Sequence, residues 1–197
     1  ELFLRQDPPD HEEVRAILAD IRKDDQRAGK VIERMRTLLK KRDVHFEVLL
    51  LRELIDHVAA LTHAELTARR VALRVDSTID LKVCGDRVQL LQVLINLFIN
   101  GADAMIATPS EERVLTVSTR RDENEYAEVS VSDRGHGITA DKMMRIFESF
   151  FTTKANGMGM GLAISDTIVK AHGGRIWAEN NEDGGATVRF TLNGGQV

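Results

Sequence analysis

Three motifs in a fixed order, spread over residues 133–162, constrain this chain more than any other feature. Residues 133–138 read Asp-Arg-Gly-His-Gly-Ile, residues 147–154 read Phe-Glu-Ser-Phe-Phe-Thr-Thr-Lys, and residues 157–162 read Gly-Met-Gly-Met-Gly-Leu. This order predicts a strand that ends in a carboxylate, a glycine turn, and a second glycine run that opens a helix. A single glycine motif is weak evidence, whereas the ordered set predicts a nucleotide pocket.

Composition excludes several classes of protein. The 197 residues, 43% of them hydrophobic, suffice for one domain with an appendage or for two small domains. A net charge of −4 does not support nonspecific binding of nucleic acid, which needs a basic face. The single cysteine, Cys84, excludes an internal disulfide and favours a reducing, cytoplasmic compartment.

The chain also shows no sign of export or membrane insertion. It has no apolar run approaching the roughly 20 residues that span a bilayer. Its first residues lack a start methionine and the pattern of a signal peptide. We therefore expect a segment of a longer protein, whose upstream part could be anchored in a membrane.

Residues 1–42 are predicted to form part of a helical hairpin. Pro8 and Pro9 interrupt the chain, and a long helical pattern follows over residues 11–41. Apolar residues recur at every seventh position within this pattern, namely Val14, Ile21, Ala28 and Met35. Such a repeat is typical of a bundle or coiled coil, so the helix needs a partner from a second chain or from upstream sequence.

Residues 43–197 mix strand patterns with helix patterns. We expect strands over residues 45–51, 71–75, 81–84, 114–119, 127–133, 175–179 and 186–192. We expect helices over residues 52–70, 86–105, 139–147 and 162–172. The mixture predicts a sheet with helices on one face.

The helix expected over residues 86–105 carries a narrow polar stripe on an otherwise apolar surface. Its members are spaced by three or four residues and therefore lie along one line of the helix. They are Gln89, Gln92, Asn96, Asn100 and Asp103. One interpretation is that these side chains satisfy buried backbone groups. The other is that they line an internal site, where the amide oxygen of Asn100 is a suitable ligand for Mg²⁺.

Asp133 is expected on the buried face of its strand. Val129, Val131 and Asp133 alternate, which places the carboxylate on the same face as the valines. A carboxylate aimed at the core needs a donor, and the amino group of adenine is one. The alternative is an aspartate that only starts a turn. Gly135 and Gly137 would let the backbone approach a flat base closely.

The second glycine run opens directly into a helix. Gly157, Gly159 and Gly161 precede Leu162, and the N–H groups and dipole at a helix N-terminus favour phosphate. Lys154 adds a mobile positive charge, although taken alone it is better explained as a solvated loop lysine. The spacing matches neither the Walker pattern nor the dinucleotide fingerprint.

Together these motifs resemble the catalytic and ATP-binding domain of bacterial sensor histidine kinases, within the GHKL (Bergerat) ATPase superfamily. The resemblance covers residues 43–197. Its elements are the N box at residues 96–100, the G1 box at 133–138, the F box at 147–154, the G2 box at 157–162 and the Gly-x-Thr element at 185–187. It implies an α/β (α+β) two-layer sandwich, in which a mixed sheet carries three helices on one face and a long bundle helix precedes it.

The resemblance also implies roles for individual residues. Asn100 would hold Mg²⁺, Asp133 would bind the adenine amino group with support from Thr187, and residues 152–160 would form a short ATP lid. The nucleotide-binding residues that it implies are Asn96, Asn100, Asp103, Asp133, Gly135, Gly137, Ile138, Phe150, Thr153, Lys154, Gly157, Gly159, Gly161, Leu162 and Thr187.

The implied activity is Mg²⁺-dependent transfer of the ATP γ-phosphoryl to a histidine, followed by relay to an aspartate of a response-regulator receiver domain. The full-length protein would be a homodimer formed through its N-terminal helix. Two alternatives remain open. One is another GHKL ATPase of the gyrase, mismatch-repair or chaperone type, and the other is a nucleotide-binding regulator without catalysis.

The sequence departs from the family pattern at two places. Gly101 follows Asn100 where the family usually has Ala, and we expect this to loosen the helix slightly. No phosphoacceptor motif is found, because His11 and Glu12 match only its first two residues. We therefore expect the acceptor to lie before Glu1, and we expect the remaining histidines to be surface or structural residues.

Overall fold

The computed structural model describes residues 45–77, 80–154 and 157–194, together with four N-terminal positions, Val14, Arg15, Ile17 and Leu18. The chain divides into two compact units, Glu1–Asp43 and Val44–Val197. The four N-terminal positions are helical. The rest of the hairpin expected over residues 1–42, with His11, lies outside the described residues and stays a prediction.

Apart from the helix expected over residues 139–147, the second unit contains the strands and helices expected from the sequence, with ends that differ by a few residues. In chain order they are β1 (Glu47–Leu50), α1 (Leu51–Ala68), β2 (Ala72–Ser77), β3 (Lys82–Gly85), α2 (Arg87–Ala104), a 3₁₀ turn (Ser110–Glu112), β4 (Val114–Arg121), β5 (Ala127–Ser132), α3 (Ala140–Met143), α4 (Gly161–Ala171), β6 (Ile176–Asn180) and β7 (Ala186–Leu192).

The helix expected over residues 139–147 is much shorter than predicted. Only Ala140–Met143 is helical, and turns follow it. None of the residues of α3 is buried, and the next residue, Met144, is 87% exposed. A short helix is marginal in water without an apolar face to pack, so this segment ends after one turn.

Five strands form one mixed sheet in the order β2-β4-β5-β7-β6. β2 and β4 are parallel, and the other neighbouring strands are antiparallel. β1 and β3 form a separate antiparallel pair. Parallel strands need a crossover connection, and α2 lies within the one between β2 and β4. The mixed sheet implied by the resemblance is confirmed.

Helices α1, α2 and α4 form the second layer. α1 contacts β2, α2 contacts β4 and β5, α4 contacts β6 and β7, and α2 also contacts both other helices. The buried positions of α1 recur every three or four residues and are Leu51, Leu54, Ile55, Val58, Thr62 and Leu66. Burying each of the larger apolar side chains contributes roughly 1.5–3 kcal/mol. In the described ranges, no helix is long and apolar enough to cross a membrane.

Strand β5 sets which side chains face the helices. Val129 and Val131 are buried on the helix side, at 0% and 3% exposure. Asp133 directly follows the strand and continues the same alternation, so it faces α2. Ser132 lies one residue earlier and is paired with Thr187 of β7, which places both on the opposite face.

The histidines of the described ranges are exposed or structural, as expected. His172 is only 4% exposed. Its Nε2 accepts from the backbone N–H of Asp86 at 2.9 Å, so the proton is on Nδ1, which donates to the Ile168 carbonyl at 2.8 Å. The ring thereby connects the end of α4 to the start of α2. The exposed ones are His45, His57, His63 and His136.

Candidate nucleotide-binding site

Helix α2 places the polar stripe at the centre of the candidate site. Asp86 caps the helix, since its Oδ1 accepts from the backbone N–H of Gln89 at 3.0 Å. All the stripe residues are half-buried. Nδ2 of Asn96 donates to the carbonyl of Gly161 at 3.2 Å, which joins α2 to the first residue of α4. For Asn96, this geometry supports the interpretation that the amide satisfies a backbone group.

Further along the stripe, Asn100 and Asp103 converge on the ammonium group of Lys154. Nζ of Lys154 donates to Oδ1 of Asn100 at 2.9 Å and also to the Asp103 carboxylate. The other carboxylate oxygen of Asp103 accepts from Arg69, at the C-terminal end of α1. Two side chains of α2 therefore hold a positive charge at the position where the resemblance implies a metal ligand.

Asp133 is a buried carboxylate, with 7% exposure. Its Oδ1 accepts from the backbone N–H groups of Gly135 at 2.8 Å and Ala186 at 3.3 Å. Burial raises the pKa of Asp133, while these two hydrogen bonds and the nearby His136 lower it. Since both described hydrogen bonds use Oδ1, Oδ2 is available to accept from a ligand.

Gly101 of α2 lies directly against this carboxylate. A Cβ added at Gly101 would lie 3.5 Å from the Cβ of Asp133, 3.9 Å from its Oδ2 and 2.5 Å from Cδ1 of Leu115. Helix α2 continues through Gly101 and packs closely on the sheet there, and the slight loosening expected from this glycine stays a prediction. Because Asn100 and Gly101 are adjacent, the oxygens that hold Lys154 and the Asp133 carboxylate lie on neighbouring sides of one helix.

The glycine turn of residues 133–138 packs against the end of α2. A Cβ added at Gly135 would lie 2.5 Å from the carbonyl oxygen of Ala104, so this close contact requires glycine. We predicted that Gly135 and Gly137 serve the approach of a base. At Gly135 the contact with the helix is a further reason for glycine, and the approach of a base stays a prediction. Gly137 has a φ of +70° and lies against Oδ1 of Asn180.

The N-terminus of α4 is open towards the polar stripe. Gly161 begins the helix, and no side chain of the described residues caps it. The atoms nearest to an added Cβ at Gly161 belong to Asn96 and Asn100 and lie at 3.8 Å or more, so the fold does not require glycine there. The free N–H groups of a first helical turn favour an anion.

Several predicted site residues meet, while others stay at the surface. Those that meet are Asn96, Asn100, Asp103, Lys154 and Gly161. Phe150 is 67% exposed and Thr153 is exposed, and no described contact joins them to this group. The other half-buried members of the predicted set are Gly135, Gly137, Ile138, Gly157, Gly159 and Leu162.

The support that Thr187 would give to adenine binding stays a prediction, and its hydroxyl forms no described hydrogen bond with Asp133. The Thr187 hydroxyl bonds Oγ of Ser132 at 2.9 Å and Oδ1 of Asn181 at 2.6 Å, on the opposite face of the sheet. The backbone N–H of Ala186 reaches the carboxylate instead. Side chains of adjacent strand residues point to opposite faces, so Thr187 is turned away from the Asp133 carboxylate.

Three residues near the site were not predicted from the sequence. Arg69 pairs with Asp103, Asn180 pairs with Ile138, and Asn181 donates to the backbone carbonyl of Asp133. For Asn180 and Asn181, the sequence offered one indication, which is that the two asparagines stand just before the acidic, glycine-rich turn of the final hairpin. Nothing local distinguishes Arg69 from other arginines of amphipathic helices.

Comparison with known proteins decides the family. A model of the histidine kinase-, DNA gyrase B- and HSP90-like ATPases matches residues 85–196. The chain belongs to this ATPase family. Among its relatives, the sensor protein FixL of Bradyrhizobium diazoefficiens is 45% identical over 168 residues, covering 84% of this chain and 33% of FixL. The chain thus spans about a third of the length of that relative.

Solved structures place this ATPase domain with the kinase branch of the family. The nucleotide-free catalytic domain of histidine kinase ThkA has a TM-score of 0.67 and 32% identity, with 76% of this chain and 96% of that domain covered. ThkA in complex with the response regulator TrrA has a TM-score of 0.69 and 27% identity, with 93% of this chain and 52% of that one covered. The chain is a histidine-kinase-type, ATP-binding domain, and the gyrase and chaperone alternative is not favoured.

Proposed function

We propose that ATP lies along α2, with adenine against Asp133 and the phosphates at the N-terminus of α4. The observation that carries this proposal is the position of Asn100 and the Asp133 carboxylate on neighbouring sides of α2, with Gly161 next to Asn100. Oδ2 of Asp133 supplies an acceptor for the adenine amino group. The first turn of α4 and the ammonium of Lys154 supply positive charge for the phosphates.

Mg²⁺ fits the same arrangement, with Asn100 as its protein ligand. Oδ1 of Asn100 and the Asp103 carboxylate already hold the ammonium of Lys154, so these oxygens converge on a positive charge. Within the described ranges, no three His, Cys, Asp or Glu side chains form a metal cluster. That suits an ion that takes few protein ligands and completes its shell with phosphate oxygens and water. When bound, Mg²⁺ supplies neutralisation of the phosphate charge.

The proposed reaction is transfer of the ATP γ-phosphoryl to a histidine of a dimerisation domain, followed by relay to a response-regulator aspartate. The identity to the sensor protein FixL and the similarity to ThkA, which was solved with a response regulator, support it. The site residues bind and orient ATP, and phosphoryl transfer needs little beyond positioning and charge neutralisation. Residues 1–42 would form part of the hairpin through which two copies of the full protein associate.

Transfer of labelled phosphate tests this reaction. The chain is incubated with γ-labelled ATP, Mg²⁺ and a supplied dimerisation domain that carries the acceptor histidine. We expect acid-labile label on that histidine, and its passage to a receiver domain that is added afterwards. The Asp133→Asn variant, as the control, should give much less label at an ATP concentration near the dissociation constant of the wild type. A wild-type chain that binds ATP and transfers nothing would be a regulator without catalysis.

The second glycine run is expected to become more ordered when nucleotide binds. Gly157 and Gly159 lie between the exposed Lys154 and the first turn of α4, and an ATP lid must open for exchange. Backbone hydrogen exchange in residues 157–161 should therefore slow when an ATP analogue and Mg²⁺ are added. Amides of the buried strand β5 serve as the control. Exchange at 157–161 that does not respond to the analogue would argue against a lid.

A further inference from the structure

The end of β6 carries a side chain that takes the place of a backbone partner. Oδ1 of Asn180 accepts from the N–H of Ile138 at 2.7 Å, and its Nδ2 donates to the carbonyl of the same residue at 2.7 Å. The amide thus pairs with both backbone groups of one residue, as a neighbouring strand would. Gly137 packs on this amide, since an added Cβ would lie 3.0 Å from Oδ1.

The next residue, Asn181, holds the other end of the same loop. Its Nδ2 donates to the backbone carbonyl of Asp133 at 3.0 Å and to Oγ of Ser132 at 3.1 Å. Its Oδ1 accepts from the hydroxyl of Thr187 at 2.6 Å, which orients the amide. Asn181 therefore holds the first residue of the loop 133–138 and Asn180 holds the last, and we name this pair the asparagine clamp.

We propose that the asparagine clamp positions the loop 133–138 for recognition of the adenine base, so that Asn180 and Asn181 are positioning residues for nucleotide binding. The inference rests on the proposed placement of adenine against Asp133. A carboxylate discriminates a base only when its oxygen is held at a defined place. The clamp holds the loop by its backbone at both ends, while neither asparagine bonds the carboxylate itself.

The clamp differs from an ordinary structural contact because Asn180 is exposed. Exposed hydrogen bonds contribute modestly to folding, since water replaces them when they are broken. The loop that Asn180 holds nevertheless contains Asp133 and the positive-φ residue Gly137. Removing its amide should therefore affect base recognition more than thermal stability.

The test compares Asn180→Ala with the wild-type chain. Dissociation constants are measured for ATP and for inosine triphosphate, in which a carbonyl oxygen replaces the amino group. We expect ATP affinity to fall about tenfold and the preference for ATP over inosine triphosphate to fall with it. The control is Asn124→Ala, since Asn124 is an exposed asparagine in the β4–β5 turn. This control should bind both nucleotides as the wild type does. The melting temperature of Asn180→Ala should stay close to that of the control.

A second variant covers the case in which Asn180→Ala does not fold. Asn180→Asp keeps the acceptor for the Ile138 N–H but sets a carboxylate oxygen against the Ile138 carbonyl, which repels it, so it should show a change in preference in the same direction. Nucleotide preference within about twofold of the wild type in the folded variant would overturn the clamp, whatever its melting temperature. If Asp133→Asn weakens ATP binding and Asn180→Ala does not, only this inference fails. If Asp133→Asn has no effect, the proposed base site itself fails.

Discussion

Replacing Asp133 with Asn is expected to weaken ATP binding about ten- to hundredfold and to leave the fold intact. The amide keeps an oxygen for the backbone N–H groups of Gly135 and Ala186. At the place of Oδ2 it presents an NH₂ group, which cannot accept from the adenine amino group. Losing a charge-assisted hydrogen bond costs roughly 1.5–3 kcal/mol. Calorimetric titration measures the loss, and wild-type affinity in the variant would show that adenine does not bind here.

The same variant should be at least as stable as the wild type at neutral pH without nucleotide. Burial raises the pKa of Asp133 above its ordinary value of 3.8, so ionising the carboxyl destabilises the folded state. A group with a raised pKa stabilises the fold fully below its unfolded pKa, and this contribution disappears as the pH rises through the native pKa. The wild type should therefore gain stability relative to Asp133→Asn as the pH falls towards 3.8.

Thermal unfolding of both proteins at a series of pH values measures this difference. The comparison cancels the other titrating groups, because the two chains differ at one position only. A stability difference that does not change with pH would mean that the folded and unfolded states bind the Asp133 proton equally. Such a result would mean that the hydrogen bonds to Oδ1 and the nearby His136 offset the effect of burial on the pKa of Asp133, even if the loss of ATP affinity were observed.

Replacing Asn100 with Ala is expected to weaken ATP binding by at least about tenfold in Mg²⁺ and by much less in EDTA. With the metal present, the variant lacks an oxygen ligand to an ion that also holds the phosphates. Without the metal, the substitution removes the hydrogen bond that Nζ of Lys154 donates to Oδ1 at 2.9 Å. That hydrogen bond is exposed to solvent and contributes little. Titrations with and without the chelator measure the two effects.

Gln92→Ala is the matched control for this experiment. Gln92 lies on the same polar stripe, two turns before Asn100 and about 12 Å away along the helix axis. It is half-buried like Asn100, and the resemblance implies no role for it. We expect it to bind ATP as the wild type does under both conditions. Equal reductions in affinity for Asn100→Ala with and without metal would identify Asn100 as a structural residue instead.

Local patterns were sufficient to predict most elements and the inward direction of Asp133. The buried positions of α1 repeat every three or four residues, and the helix expected over residues 86–105 is present as α2. The alternation of Val129, Val131 and Asp133 predicted a buried carboxylate, and the structure has one. These features can be predicted from the sequence because the period of a helix or strand is set by neighbouring residues. The prediction of a helix over residues 139–147 was wrong beyond its first turn, because the length of this helix depended on a packing surface that the fold does not offer.

The contacts that shape the candidate site could not be predicted from local patterns, because they form only in the assembled fold. Asn180 and Ile138 are 42 residues apart in the sequence, and Asn181 and Asp133 are 48 apart. These pairs meet because β7 lies between β5 and β6, and a strand order has no local signature. The close approach of Ala104 to Gly135 likewise depends on how deeply α2 packs on the sheet. Local periodicity states which face of an element is buried, whereas the packing of the layers decides which buried groups meet.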